Sequence, residues 1–152
     1  MGDIKKIKNL AEAFRSALES VPKYEFSSSL SFTEFPKGCC DDASLLLAAY
    51  FSDNSVTGAK RIFGLKGGED QSIETHVWLK IDNILVDITA DQFNEKGYNL
   101  EKVIVTESSK FHDSFKVNHS KTELADFRIK FKNASNILSA FEGCYKTIIH
   151  AI

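Results

Sequence analysis

The chain is poor in several things that would have narrowed its role quickly. It has 3 cysteines, two of them adjacent, so it has no even-numbered disulfide framework. Reduced thiols, and with them a cytoplasmic setting, are the expectation. A net charge of −2 gives no long-range attraction to nucleic acid or to an anionic lipid surface. No apolar run reaches the roughly 20 residues of a membrane-spanning helix, and the N-terminal residues carry no apolar signal core. Lys6 stands where a myristoylation signal has Ser or Thr. The Cys-x-x-Cys spacing of metal and redox sites is missing, so neither metal nor cofactor is expected.

What is present suits one compact α+β domain over residues 1–152. The length supports a single core but not two comfortable ones. Ile4, Ile7, Leu10, Ala11, Phe14, Leu18 and Val21 form one helical stripe, with Asp3 placed to cap it and Pro22 to close it. Residues 23–37 are Ser-rich and irregular. A second helix is predicted from Cys40, burying Ala43, Leu46, Leu47, Tyr50 and Phe51 and ending at Ser52-Asp53-Asn54-Ser55. Strands are predicted at 56–66, 74–81, 84–89, 101–107 and 126–132. The basic run Arg128-Ile129-Lys130-Phe131-Lys132 lies in the last and reads as a solvated edge strand. A C-terminal helix from about Asn133 should bury Ile137, Leu138, Phe141, Tyr145, Ile148 and Ile149, with Cys144 as a small apolar residue within it.

The hairpin can be read by counting. If Asp82-Asn83 is a two-residue turn, Ile81 faces Ile84. One face of the hairpin is then Val77, Leu79, Ile81, Ile84, Val86 and Ile88. The other is His76, Trp78, Lys80, Leu85, Asp87 and Thr89. A slip of one residue would mix these sets. In this register His76 lies diagonal to Asp87, at roughly 7–8 Å, within reach of a hydrogen bond between long side chains. An aspartate among β-branched residues is costly unless a partner holds it, and a histidine that needs a fixed tautomer is such a partner.

Cys40 opens the second helix, where the partial positive charge and free N–H groups of a helix start favour a thiolate. Its own N–H could face an oxyanion. Gly38 lets the chain turn into the helix. Asp41 and Asp42 oppose a thiolate but suit the first turn of a helix. Cys39 is the rival nucleophile, one residue away. Together Cys40, His76 and Asp87 have the chemistry of thiol nucleophile, base and orienting group. Trp78 would shield the His–Asp pair. His112, in Ser109-Lys110-Phe111-His112-Asp113-Ser114-Phe115, belongs either to a packed surface loop or to a loop that contacts substrate.

At Gly38-Cys39-Cys40-Asp41-Asp42, His76-Val77-Trp78 and Asp87-Ile88-Thr89 the sequence resembles the transglutaminase-like branch of the papain-like cysteine enzymes. That branch shows Gly-x-Cys-x-Asp at a helix start, His-x-Trp on one strand and Asp-x-Thr on the next. The chain is also similar to the small leader-peptide proteases of lasso-peptide maturation. The resemblance spans about residues 36–93, and residues 87–93 look like a stretch found in small bacterial proteins of this type. It implies a helix bearing Cys40 packed on an antiparallel sheet bearing His76 and Asp87. It also implies a peptidase or amidase acting on a peptide or protein amide, or an acyltransferase with an amine acceptor. A non-catalytic binding or immunity-type protein that keeps the fold is the alternative. No Gln or Asn precedes the nucleophile as second oxyanion donor; Gln92, Thr33 or a backbone amide would have to serve.

Overall fold

The computed structural model describes residues 3–26, 32 and 34–152; Thr33 lies outside them. The protein is α+β, with a six-stranded antiparallel sheet and helices at the N-terminus, in the middle and at the C-terminus. Helix α1 (Ile4–Ser20) is capped by Asp3, whose carboxylate accepts from the Lys5 N–H, and it ends two residues before Pro22. Helix α2 (Cys40–Asp53) buries eight residues, from Ala43 to Ala49 and Phe51, so it is enclosed nearly all round. Each large apolar side chain so buried contributes roughly 1.5–3 kcal/mol. A charge in the first turn of a helix is worth only roughly 0.3–1 kcal/mol. Packing therefore holds α2, and Cys39 at its N-cap makes no capping side-chain bond.

Strands β1 (Lys60–Gly67), β2 (Ile73–Ile81), β3 (Ile84–Asp87), β4 (Ile104–Thr106), β5 (Lys116–Val117) and β6 (Glu123–Leu124) pair in the order β4-β3-β2-β1-β5, with β6 also on β1. The β2–β3 register is the counted one: Ile81 with Ile84, Lys80 with Leu85, Leu79 with Val86. Asp82 takes the left-handed conformation of the turn, at φ 53°. Leu79, Ile81, Ile84, Val86 and Ile88 join α1, α2 and α5 (Ser135–His150) in the main core. A second, smaller cluster gathers Ile62, Ile73, Trp78, Phe93 and Phe115. Gly64 of β1 is required there, because a Cβ would come within 2.7 Å of the Trp78 ring.

Several boundaries differ from expectation for physical reasons. Gly58, at φ 83°, cannot extend the first strand backward, so β1 begins at Lys60. β3 stops at Asp87 because the Ile88 carbonyl goes to Arg15 and the Thr89 N–H turns back to Asp87. The Lys102 carbonyl also accepts from Arg15, which leaves only Ile104–Thr106 for β4. Residues 126–132 are not a strand. Asp126 caps the short helix α4 (Phe127–Lys130), and buried Phe127 stacks on Phe141 at 5.5 Å. Arg128 pairs with Asp126 and Asp53, and Lys130 with Glu123, so two of the run's three cations are neutralised locally. In α5 the buried stripe is Phe141, Cys144 and Ile148, while Ile137 is rotated out and exposed. No helix among the described residues is long and apolar enough to cross a membrane.

Arg15 was not expected inside, yet it is 4 % exposed. Its guanidinium grips Asp91 through two bonds of 2.8 Å, and also donates to Glu19 and to the carbonyls of Ile88 and Lys102. One side chain of α1 thus ties down the segment that follows Asp87. Arg15→Met should cost about 3 kcal/mol, the low end for a broken buried pair, because Asp91 keeps some contact with water. Urea unfolding measures this, and a loss below about 1 kcal/mol would make the clamp incidental.

Candidate active site

Asp87, at the end of β3, is 2 % exposed and receives four donors. Its Oδ2 accepts from Nε2 of His76 at 2.6 Å and from Nε2 of His112 at 2.7 Å. Its Oδ1 accepts from the Thr89 N–H at 2.9 Å and, more weakly, from the Thr89 hydroxyl at 3.4 Å. Burial raises a carboxyl pKa, but here the charge of His76 and the N–H donors of His112 and His76 win and hold it far below the usual carboxylate range.

His76, on β2, is fully buried. Trp78, Phe93, Phe111 and Phe115 surround it with ring centroids 5.0–6.3 Å away. Burial disfavours its charged form, yet Asp87 first and then Cys40 outweigh that and push its pKa up to about 10. Cys40, partly exposed at the start of α2, is the next group after Asp87 that favours the charged ring. Among the described residues, however, Nδ1 of His76 has no partner of good hydrogen-bond geometry. Cys40 thus bears on the ring electrostatically without a formed hydrogen bond. The hydrogen-bonded group is therefore His76–Asp87–His112, and the Cys40–His76 bond expected of a closed triad is not made.

The three thiols differ sharply in setting. Cys39 and Cys144 are buried, and burial pushes both thiols up to about 12, with nearby negative charge adding to the effect. Cys40 alone of the three is accessible. The adjacent acids also behave differently from a simple charged first turn. Asp41 is held by Arg61 of β1 through two bonds of 2.7 Å, which neutralises it and brings a guanidinium charge to Cys40. Asp42 is pushed up to about 6 by burial and by Asp41. The turn into α2 needs Gly38, which sits at φ 74°.

Gln92 bridges the two halves of the site. Its Nε2 donates to the Thr89 carbonyl at 2.9 Å, and its Oε1 lies 3.5 Å from the Gly38 N–H. Its amide hydrogens are thus partly committed, which leaves the free N–H groups at the start of α2 as the better oxyanion donors. Trp78 packs beside both imidazoles, 5.7 Å from His76 and 4.8 Å from His112.

His112 is the main correction. It is not on a surface loop but 3 % exposed on the short helix α3 (Lys110–Asp113), with Nδ1 2.6 Å from the Ser109 hydroxyl. Only its adjacency to aromatic residues hinted at burial. The ligand atoms of His76, Asp87 and His112 lie within 4.8 Å of one another, as in a divalent-ion site. But both nitrogens are 2.6–2.7 Å from one oxygen. Ligands about 2.0–2.1 Å from a tetrahedral zinc stand about 3.3 Å apart. Hydrogen bonds fit the spacing; ligation does not. A groove of about 600 Å³ crosses β1–β3, lined by Trp78 and His112 but by neither Cys40 nor His76.

Comparison with protein-family models, with curated proteins and with solved structures gives no match.

The raised His76 pKa has a signed consequence. A base held protonated by the fold adds stability in full below its unfolded value near 6.5, and that stability is lost as pH rises toward about 10. Asp42 contributes its own loss only below about pH 6, and the buried thiols only above about pH 9. Urea midpoints should therefore fall between about pH 7 and 9 in the wild type and stay flat in His76→Gln. Parallel curves would show that His76 is not held charged.

Proposed function

We propose that the protein is a cysteine-dependent acyl-transfer enzyme, most simply a peptidase or amidase acting on a peptide or protein amide. The observation that carries this reading is the pairing of a fully buried His76–Asp87 couple with the one accessible thiol, Cys40, at a helix start. The resemblance of residues 36–93 to transglutaminase-like cysteine enzymes supports the same roles.

In this reading Asp87 keeps a proton on Nε2 of His76, so Nδ1 is the atom that exchanges a proton with Cys40. The thiolate attacks the amide carbonyl, and the free N–H groups of α2 face the oxyanion. Collapse breaks the C–N bond, and Nδ1–H protonates the departing amine. Nδ1 then takes a proton from water, whose oxygen attacks the thioester; the C–S bond breaks and releases the carboxylic acid. An amine in place of water would give a transferase by the same steps. Thr89 and Trp78 hold and shield the couple, and Cys39 stays a core residue.

Iodoacetamide labelling followed by peptide mapping tests the nucleophile. Cys40 should react at least tenfold faster than an unfolded thiol near pH 6–7, with Cys39 and Cys144 protected. If Cys40 is no faster at any pH between about 6 and 9, the ion pair is wrong and a binding protein is the better reading. Fluorogenic peptide amides, with and without a primary amine, then separate hydrolysis from transfer, and Cys40→Ala should abolish either. Stoichiometric zinc in protein purified without added metal would instead favour a metal-binding module.

A further inference from the structure

We infer that His112 is a positioning residue of this site: through the Oδ2 atom it shares with His76, it fixes the Asp87 carboxylate and limits how tightly His76 holds its proton. The inference rests on the reading of His76 as the base for Cys40.

The argument starts from proton counting. An ionised carboxylate only accepts, so the Nε2 atoms at 2.6 and 2.7 Å from Oδ2 both donate. Nδ1 of His112 is then free to accept the Ser109 hydroxyl hydrogen across 2.6 Å. That single tautomer satisfies both ring nitrogens without a net charge. A residue needed only to fill space would not use both; a phenylalanine would fill this aromatic cluster. Phe111 and Trp78 lie edge-on to the ring at 5.1 and 4.8 Å, and the residue is 3 % exposed.

The electrostatic consequence follows from sharing. An oxygen that already carries one N–H offers less negative potential to the second donor. His112 therefore weakens the pull of Asp87 on a protonated His76. In the proposed reaction His76 must take a proton from Cys40 and then release one to an amine. A carboxylate with no competing donor would favour the first step and hinder the second. The titratable groups facing His76 are Asp87 from β3, His112 from α3 and Cys40 from α2, with Arg61 and its partner Asp41 standing behind Cys40.

The test reads the His76 ring by NMR titration, in the wild type and again in Cys40→Ala. Removing the donor in His112→Phe should raise the His76 midpoint by about one pH unit. His112→Gln, which places an N–H near the position of Nε2, should bring it most of the way back. An unmoved or lowered midpoint in folded His112→Phe, or a His112→Gln that behaves like His112→Phe, overturns the inference. Should His112→Phe not fold, wild-type nitrogen-15 shifts decide: His112 protonated on Nε2 and bare on Nδ1 supports it, and a ring protonated on Nδ1 overturns it. The Cys40→Ala background separates the two proposals. A His112 effect that persists there, with no labelling advantage at Cys40 in the wild type, sinks the enzyme reading alone.

Discussion

The constraint on which the structure turns is one buried negative charge. Removing the Asp87 carboxylate from water costs several kcal/mol unless hydrogen bonds replace the solvent. Two imidazoles, one backbone N–H and one hydroxyl do so. Each arrives by a different route. His76 comes across the hairpin, His112 from a four-residue helix, and Thr89 by a turn of the chain just past the strand. Arg15 of α1 holds that turn through Asp91 and the Ile88 carbonyl. The charge thus couples the hairpin, α3 and, at one remove, α1.

The position of the thiol is set by a separate constraint. Cys39 and Cys40 are adjacent, but at the entry to α2 one step takes the side chain from the main core to partial contact with solvent. Asp41 is drawn away to Arg61, so the helix start keeps its uncapped N–H groups and gains a nearby cation instead of an anion. The site sits between the main core and a smaller aromatic cluster. That cluster makes His76 inaccessible while Cys40 stays in partial contact with solvent.

Residues close in sequence, or regular in period, are legible from the sequence. The β2–β3 register followed from a period of two and a two-residue turn. The Asp3 cap, the stripe of α1 from Ile7 to Leu18 (though not its first member, Ile4, which is exposed) and the start of α2 at Cys40 follow from helical spacing. The misreadings have a common origin. Arg128 to Lys132 alternates like a strand, but an Asp126 cap and the burial of Phe127 against Phe141 outweigh a five-residue pattern. His112 looked like a loop residue because nothing within a few positions of it identifies Asp87, 25 residues away, as its partner.

By itself, then, the sequence determined the local pairings: the hairpin faces, the helix that begins at Cys40, and the placing of His76 and Asp87 within reach of one another. These rest on backbone periodicity, which acts over a handful of residues. Only the tertiary structure decided that Asp87 serves two histidines, that Arg15 is buried as a clamp, that Cys39 belongs to the core, and that Nδ1 of His76 makes no hydrogen bond to Cys40. Those outcomes depend on which buried polar groups find partners after distant segments have packed, and no spacing rule along the chain encodes that.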